Sequence, residues 1–180
     1  MIKSVARQGI IVGIISSLYI ALLYTAGVEV FANWWYSVII MHCISIGLIC
    51  YFTKQLRDKN ETEPFQFNQT FVVLLTMFML STLVSTIWNI ILFNVIDTAL
   101  AKELSVRIIE ETMETMEKWE VPADAIAKTK KDMRDLPEQF KPVAQLIDWL
   151  KVGIFMAIVI LICAAFIKRK EPVNPFTKNE

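Results

Sequence analysis

Apolar positions along this chain fall in long blocks, with the charged residues gathered between them. The blocks cover about 4–26, 34–53, 70–96 and 144–168. About 20 apolar residues suffice to cross a hydrocarbon core of ~30 Å. In lipid such a block must be helical, because each backbone polar group needs a partner within the segment. The pattern predicts an all-α protein: a membrane-embedded four-helix bundle, with an extramembrane helical hairpin between spans three and four.

The hairpin is read from residues 97–143, where apolar positions thin out and take up a helical period. Leu104, Ile108, Met113 and Met116 make a stripe along Asp97–Trp119, and acids cover the rest. Val121-Pro122 breaks this run, and Pro122 suits the first turn of a second helix over Pro122–Asp135. Leu136-Pro137 and Lys141-Pro142 then stop it. The two stripes are expected to pack on each other. The Leu104, Ile108, Met113 and Met116 face is also the candidate surface for a partner protein or a second copy. Neither Gly nor Pro lies between Thr70 and Trp119, so span three is expected to run unbroken into the hairpin. A helix of that extent would be about 75 Å long, at 1.5 Å per residue.

Lys and Arg in the short flanks set the expected orientation. Lys3 and Arg7 mark the amino end; Lys54, Arg57 and Lys59 follow span two; Lys168, Arg169 and Lys170 open the carboxyl end. These regions share one side, so both termini and the 169–180 tail are expected in the cytoplasm, with the hairpin outside. Trp34, Trp35, Tyr36 and Trp149 then suit the outer interfacial belt. The apolar stretch Ile10–Leu23 is long for a signal core, and no small-x-small site follows, so it reads as a retained span. Asn60-Glu-Thr62 and Asn68-Gln-Thr70 match the glycosylation pattern, but both fall on the expected cytoplasmic side.

Composition agrees: 55% of residues are hydrophobic and 20% charged, more apolar than a soluble domain of ordinary make-up. The formal net charge of +0 offers no field for nucleic acid. Cys43, Cys50 and Cys163 lie in apolar blocks without CxxC spacing and read as small buried hydrophobes. A single histidine excludes a multi-His metal centre. Glu111, Glu114, Glu117 and Glu120 recur every third residue and read as a solvated face. No metal or other cofactor is expected. No nucleotide, serine-hydrolase or zinc-protease motif is present, and no catalytic residues are assigned.

Polar and small residues inside the spans carry the remaining information. Gly9, Gly13, Ser17 and Ala21 recur every fourth residue in span one, a groove that lets another backbone approach. Ser81 and Ser85 continue to Asn89 along one line of span three, beside Thr82 and Thr86. Gly153 and Ala157 repeat the small-residue pattern in span four. Packing is the simpler reading of these lines, and a lined path is the other. Tyr19, His42 and Asn89 each sit roughly 12 Å in from the outer face, at 1.5 Å per residue. An intramembrane ionisable residue is a functional candidate, so this trio is a candidate site for a polar headgroup or a proton relay. The bland alternative is a neutral imidazole satisfied by Asn89 or a hydroxyl.

The order of these features resembles an uncharacterised bacterial membrane family, domain of unknown function 4199. A Gly-rich first span and a Trp-containing second precede PFQFNQTF, residues 64–71, which is close to that family's F-x-F-x-Q-A-F-like entry to span three. An acidic helical excursion and a fourth span ending in Lys-Arg follow. Glu63-Pro64 departs from the family's Gly-containing turn. The resemblance implies a bacterial inner-membrane protein with four helices and a mobile hairpin, and it transfers no catalytic residues. Three functions are carried forward. The first is a non-enzymatic scaffold or accessory subunit whose hairpin meets another membrane protein or forms a homo-oligomer. The second is a small carrier or lipid-headgroup binder using the outer-half polar cluster. The third is an accessory subunit of a lipid-linked sugar transferase.

Overall fold

A computed structural model describes residues 2–59 and 65–168, the side chains of 34–38 excepted. The described residues are helical throughout, without strands. In chain order they form α1 (Ile2–Ala26), α2 (Val28–Ala32), α3 (Trp34–Lys59), α4 (Phe67–Ile91), a π turn (Leu92–Ile96), α5 (Leu100–Lys118), α6 (Ala123–Asp132), a 3-10 segment (Met133–Phe140) and α7 (Pro142–Ile167). Four stretches, Ile2–Ala26, Ile39–Lys59, Phe67–Ile96 and Pro142–Ile167, are long and apolar enough to cross a membrane. Their outward faces remain apolar: Leu18, Ile154, Ile158 and Phe166 are all exposed, as lipid contact requires. The 169–180 tail, Trp34, Trp35, Tyr36 and the Asn60-Glu-Thr62 pattern lie wholly or in their side chains outside the described residues. Thr70 of the second glycosylation pattern is fully buried, its hydroxyl donating to the Gln66 carbonyl at 2.9 Å.

The long helix α4 is the centre of the bundle. It packs most extensively on α1 and then on α7, whereas α3 and α7 touch little. The α1–α4 approach is set by glycine. A Cβ added at Gly13 would sit 2.7 Å from the Ser81 carbonyl oxygen, and one at Gly9 would sit 3.0 Å from that of Met77. Only a residue without a side chain fits there. Gly153 on α7 is less strict: an added Cβ would meet the Met79 sulfur at 2.5 Å, the end of a flexible side chain that can move aside. Ala157 is only half-buried; Met156 and Ile160 carry the core on that helix instead.

Two apolar clusters hold the bundle at its two ends. The end near the termini gathers Val5, Val12, Ile49, Phe65, Leu74 and Ile160. There the Arg57 guanidinium donates to the Ile167 carbonyl at 2.8 Å, and Lys168 lies 5.9 Å from the Phe67 ring centroid. Cys50 and Cys163 pack on this cluster and tie α3 to α7, so they are small core residues; Cys43 instead is exposed. The opposite end gathers Ile20, Leu92, Phe93, Leu100, Leu104 and Ile108.

That second cluster corrects two expectations about the hairpin. The helix does not continue unbroken from span three. At Leu92–Ile96 the Asp97 N–H donates five residues back to Leu92, at 2.9 Å, and α4 ends. Asp97 then starts α5: its carboxylate accepts the Ala99 and Leu100 N–H groups, and the Tyr24 hydroxyl at 3.2 Å. An acid at a helix start both satisfies free N–H groups and complements the helix dipole. The apolar stripe meets its expected partner only in part: Met133, from the expected second helix, packs on it, and the bundle supplies the rest. Leu104 and Ile108 are buried against the bundle and the 3-10 segment, while α6 buries nothing fully. They are therefore not an available interaction face; of that stripe only Met113 and Met116 stay half-exposed.

Candidate functional site

Between the two apolar clusters lies a cleft of about 300 Å³, mostly apolar in surface but bordered by several hydrogen-bonding side chains. It exists because α3 and α7, joined near the termini, touch little elsewhere and leave α4 uncovered between them. α3 contributes His42 and Ser45, α4 contributes Thr82, Thr86 and Asn89, and α7 contributes Asp148 and Trp149. The 3-10 segment closes one end with Gln139 and Phe140. This end is clamped: the Phe140 carbonyl accepts the Asn94 amide at 3.1 Å and the Gln145 amide at 2.7 Å. Its ring lies 4.5 Å from that of Phe93.

The Ser/Thr line divides its work between packing and lining. Ser81 donates to the Phe78 carbonyl at 2.9 Å and is 1% exposed, so it belongs to the seam with α1. Ser85 donates back to Ser81 at 3.2 Å and across to the Gly13 carbonyl at 3.4 Å. Ser17 serves its own helix, donating to the Gly13 carbonyl at 2.9 Å. Ala21 is half-buried. Across the cleft floor, Ser16 and Ser45 join α1 to α3 at 3.0 Å. Thr82 accepts the Trp149 indole N–H at 3.1 Å. Trp149 is thus turned inward rather than out to the interfacial belt, because its N–H finds a partner on α4.

The predicted trio is only partly assembled. His42 and Asn89 line the same cleft, but Tyr19 does not. Tyr19 lines a second cavity, of about 280 Å³, between α1 and the hairpin. Helical phase explains the split. Ser16 and Ile20, one turn apart, turn toward the cleft, and the neighbouring line Tyr19–Leu23 turns toward the other cavity. Asn89 lies on the wall of both, and its amide oxygen is buried without a partner. Sequence reasoning missed Gln139, Gln145 and Asp148, which sit beyond a turn whose course the periodicity did not reveal.

The arrangement can hold a neutral polar group by hydrogen bonds, and among the described residues the carboxylate it presents is Asp148, paired with Lys151 at 2.9 Å. Among the described residues no three His, Cys, Asp or Glu side chains converge to hold a metal ion. On the hairpin, Arg107 meets Glu110 at 3.3 Å and Glu111 at 3.7 Å, an ordinary surface network. Compared with known proteins, residues 7–169 match the family described as Protein of unknown function (DUF4199). No curated protein and no solved structure matches.

Proposed function

The chain belongs to this family of unknown function, a multi-pass membrane protein of four apolar helices, and from that premise we propose that it is a non-enzymatic binder of a lipid headgroup. The headgroup would occupy the cleft between α3 and α7. One observation carries this reading: His42, Ser45, Thr86, Asn89 and Gln139, from three different segments, line one space of about 300 Å³. Hydrogen-bonding side chains gathered around a space between spans suit a polar group on an occupant. The size of the cleft is at the lower end of small-molecule sites. Its open side lies between two spans, so the occupant arrives from the bilayer rather than from water. We place the protein in a bacterial inner membrane with both termini cytoplasmic, from the basic residues Lys3, Arg7, Lys54, Arg57 and Lys168 gathered at one end.

Native mass spectrometry of the full-length protein, extracted from its own membrane, tests this reading. A retained lipid-sized mass is expected, lost in His42→Ala and in Asn89→Leu while the melting temperature is kept. Equal retention in both variants would sink the reading.

A second reading has its own observation. Trp119, at the hairpin tip, is 77% exposed beside the half-exposed Met113 and Met116. Such a surface suits protein contact, and supports a scaffold or accessory role. Loss of a co-purifying membrane protein in Trp119→Glu, with His42→Ala neutral, would favour it.

A further inference from the structure

The joint between α3 and α7 holds chemistry that neither the α1–α4 seam nor the cleft uses. These two helices wall the cleft, yet they touch little. Where they meet, near the termini, the Arg57 guanidinium donates to the Ile167 carbonyl at 2.8 Å. Cys50 and Cys163 pack on the same apolar cluster there, and their thiols stand close enough to interact. Helical rise agrees with that pairing. Cys50 lies about 10 Å above Arg57 along α3, and Cys163 about 6 Å above Ile167 along α7, at 1.5 Å per residue. The long Arg57 side chain takes up the difference. Cys43, two turns farther up α3, is instead exposed.

A thiol is a weak hydrogen-bonding group, so as a polar tie the pair adds little. Oxidation is what distinguishes two facing thiols from two other small side chains. We propose that Cys50 and Cys163 are a disulfide-forming pair, a site of oxidative modification that locks α3 to α7. Two S–H bonds break and one S–S bond forms. The two electrons and two protons pass to a quinone dissolved in the bilayer, which leaves as the quinol. A quinone suits the place, because both thiols lie within apolar spans that charged oxidants do not enter. Once oxidised, the two cleft walls are pinned at their joint. Reduced, α3 is held to α7 by few contacts. The pair stands whether or not the cleft holds a headgroup.

Full-length protein in phosphatidylcholine nanodiscs is treated with duroquinone, whose ring methyls block addition of thiols. A parallel sample receives diamide, a two-electron oxidant of the diazene class. Mass spectrometry of a non-reducing digest reads which cysteines are linked, and a melting curve reads the effect on the fold. Both oxidants are expected to link Cys50 to Cys163 within one chain and to raise the melting temperature by roughly 5–10 °C. Tributylphosphine, a bilayer-soluble reductant, should reverse both changes. Cys50→Ala and Cys163→Ala should each abolish link and shift, whereas Cys43→Ala should keep them. The link is mapped in the natural chain, so a misfolded alanine variant does not weaken the test. A link with diamide alone keeps the pair and overturns the quinone as acceptor. A link without any change in melting overturns the lock. No link with either oxidant, or links only between chains through Cys43, overturns the pair and leaves two small core residues.

Discussion

The two sides of α4 are built to opposite ends. Toward α1 it is sealed: Gly9 and Gly13 bring the backbones so close that an added methyl would strike a carbonyl oxygen. Toward the gap between α3 and α7 it is open, and Thr82, Thr86 and Asn89 line a cleft. Ser81 faces the first side, Ser85 bonds across it to Gly13 while also bordering the cleft, and Thr82 and Thr86, each one residue on, line the cleft. One helix thus carries a structural seam and a candidate site, separated by a single step of about 100°. The contrast teaches that hydroxyls in a span are not of one kind. Those at a seam turn back to carbonyls of their own or the next helix. On the open side, Thr82 also turns back to the Phe78 carbonyl and holds the Trp149 indole, while Thr86 borders the cleft.

The contrast can be broken most forcefully at the seam. Gly13→Leu should destabilise the protein by about 3 kcal/mol, an overpacking cost at the top of the usual range, read as a lowered melting temperature in detergent. A wild-type melting curve for Gly13→Leu would mean that α1 and α4 do not meet as described. Next comes the hinge between span and hairpin. Asp97→Ala removes the acceptor for two helix-start N–H groups and the Tyr24 hydroxyl. A loss of about 1–2 kcal/mol is expected, with faster hydrogen exchange in Leu100–Leu104. Unchanged exchange there would show that the hairpin is held by its apolar contacts alone.

Smaller effects should follow at the cleft. Trp149→Phe removes the indole donor to Thr82 and should cost about 1 kcal/mol, since a buried partner is left behind. Ser16→Ala, which unties one helix pair at the cleft floor, should cost about 0.6 kcal/mol. His42→Ala sharpens the comparison at its lower limit: stability should be nearly unaffected while lipid retention is lost. A large fall in the melting temperature of His42→Ala would instead class that residue with the seam.

Much of the fold was legible in particular residues. Apolar block lengths marked the spans, and the Gly9–Gly13 spacing announced a close helix contact. Lys141-Pro142 was read as a stop to the hairpin, with span four from 144; Pro142 is instead the first residue of α7, two residues earlier. The break after Ile96 was not legible, because no Gly or Pro marks it: an acid capping the next helix does the work instead. The candidate site was half legible. His42 and Asn89 were flagged by depth alone, and they do share a cleft. Tyr19 was grouped with them because depth says nothing about rotation round the helix.

The sequence by itself determined which segments are long and apolar enough for lipid, and that small residues spaced by four in them let helices approach closely. Lipid imposes those terms locally, on each backbone group of each segment. Tertiary structure decided which helices press together, which stand apart, and that the hairpin folds its apolar stripe back over the bundle. Those outcomes depend on how side chains on different helices fit one another in three dimensions, a property of pairs that no single segment carries.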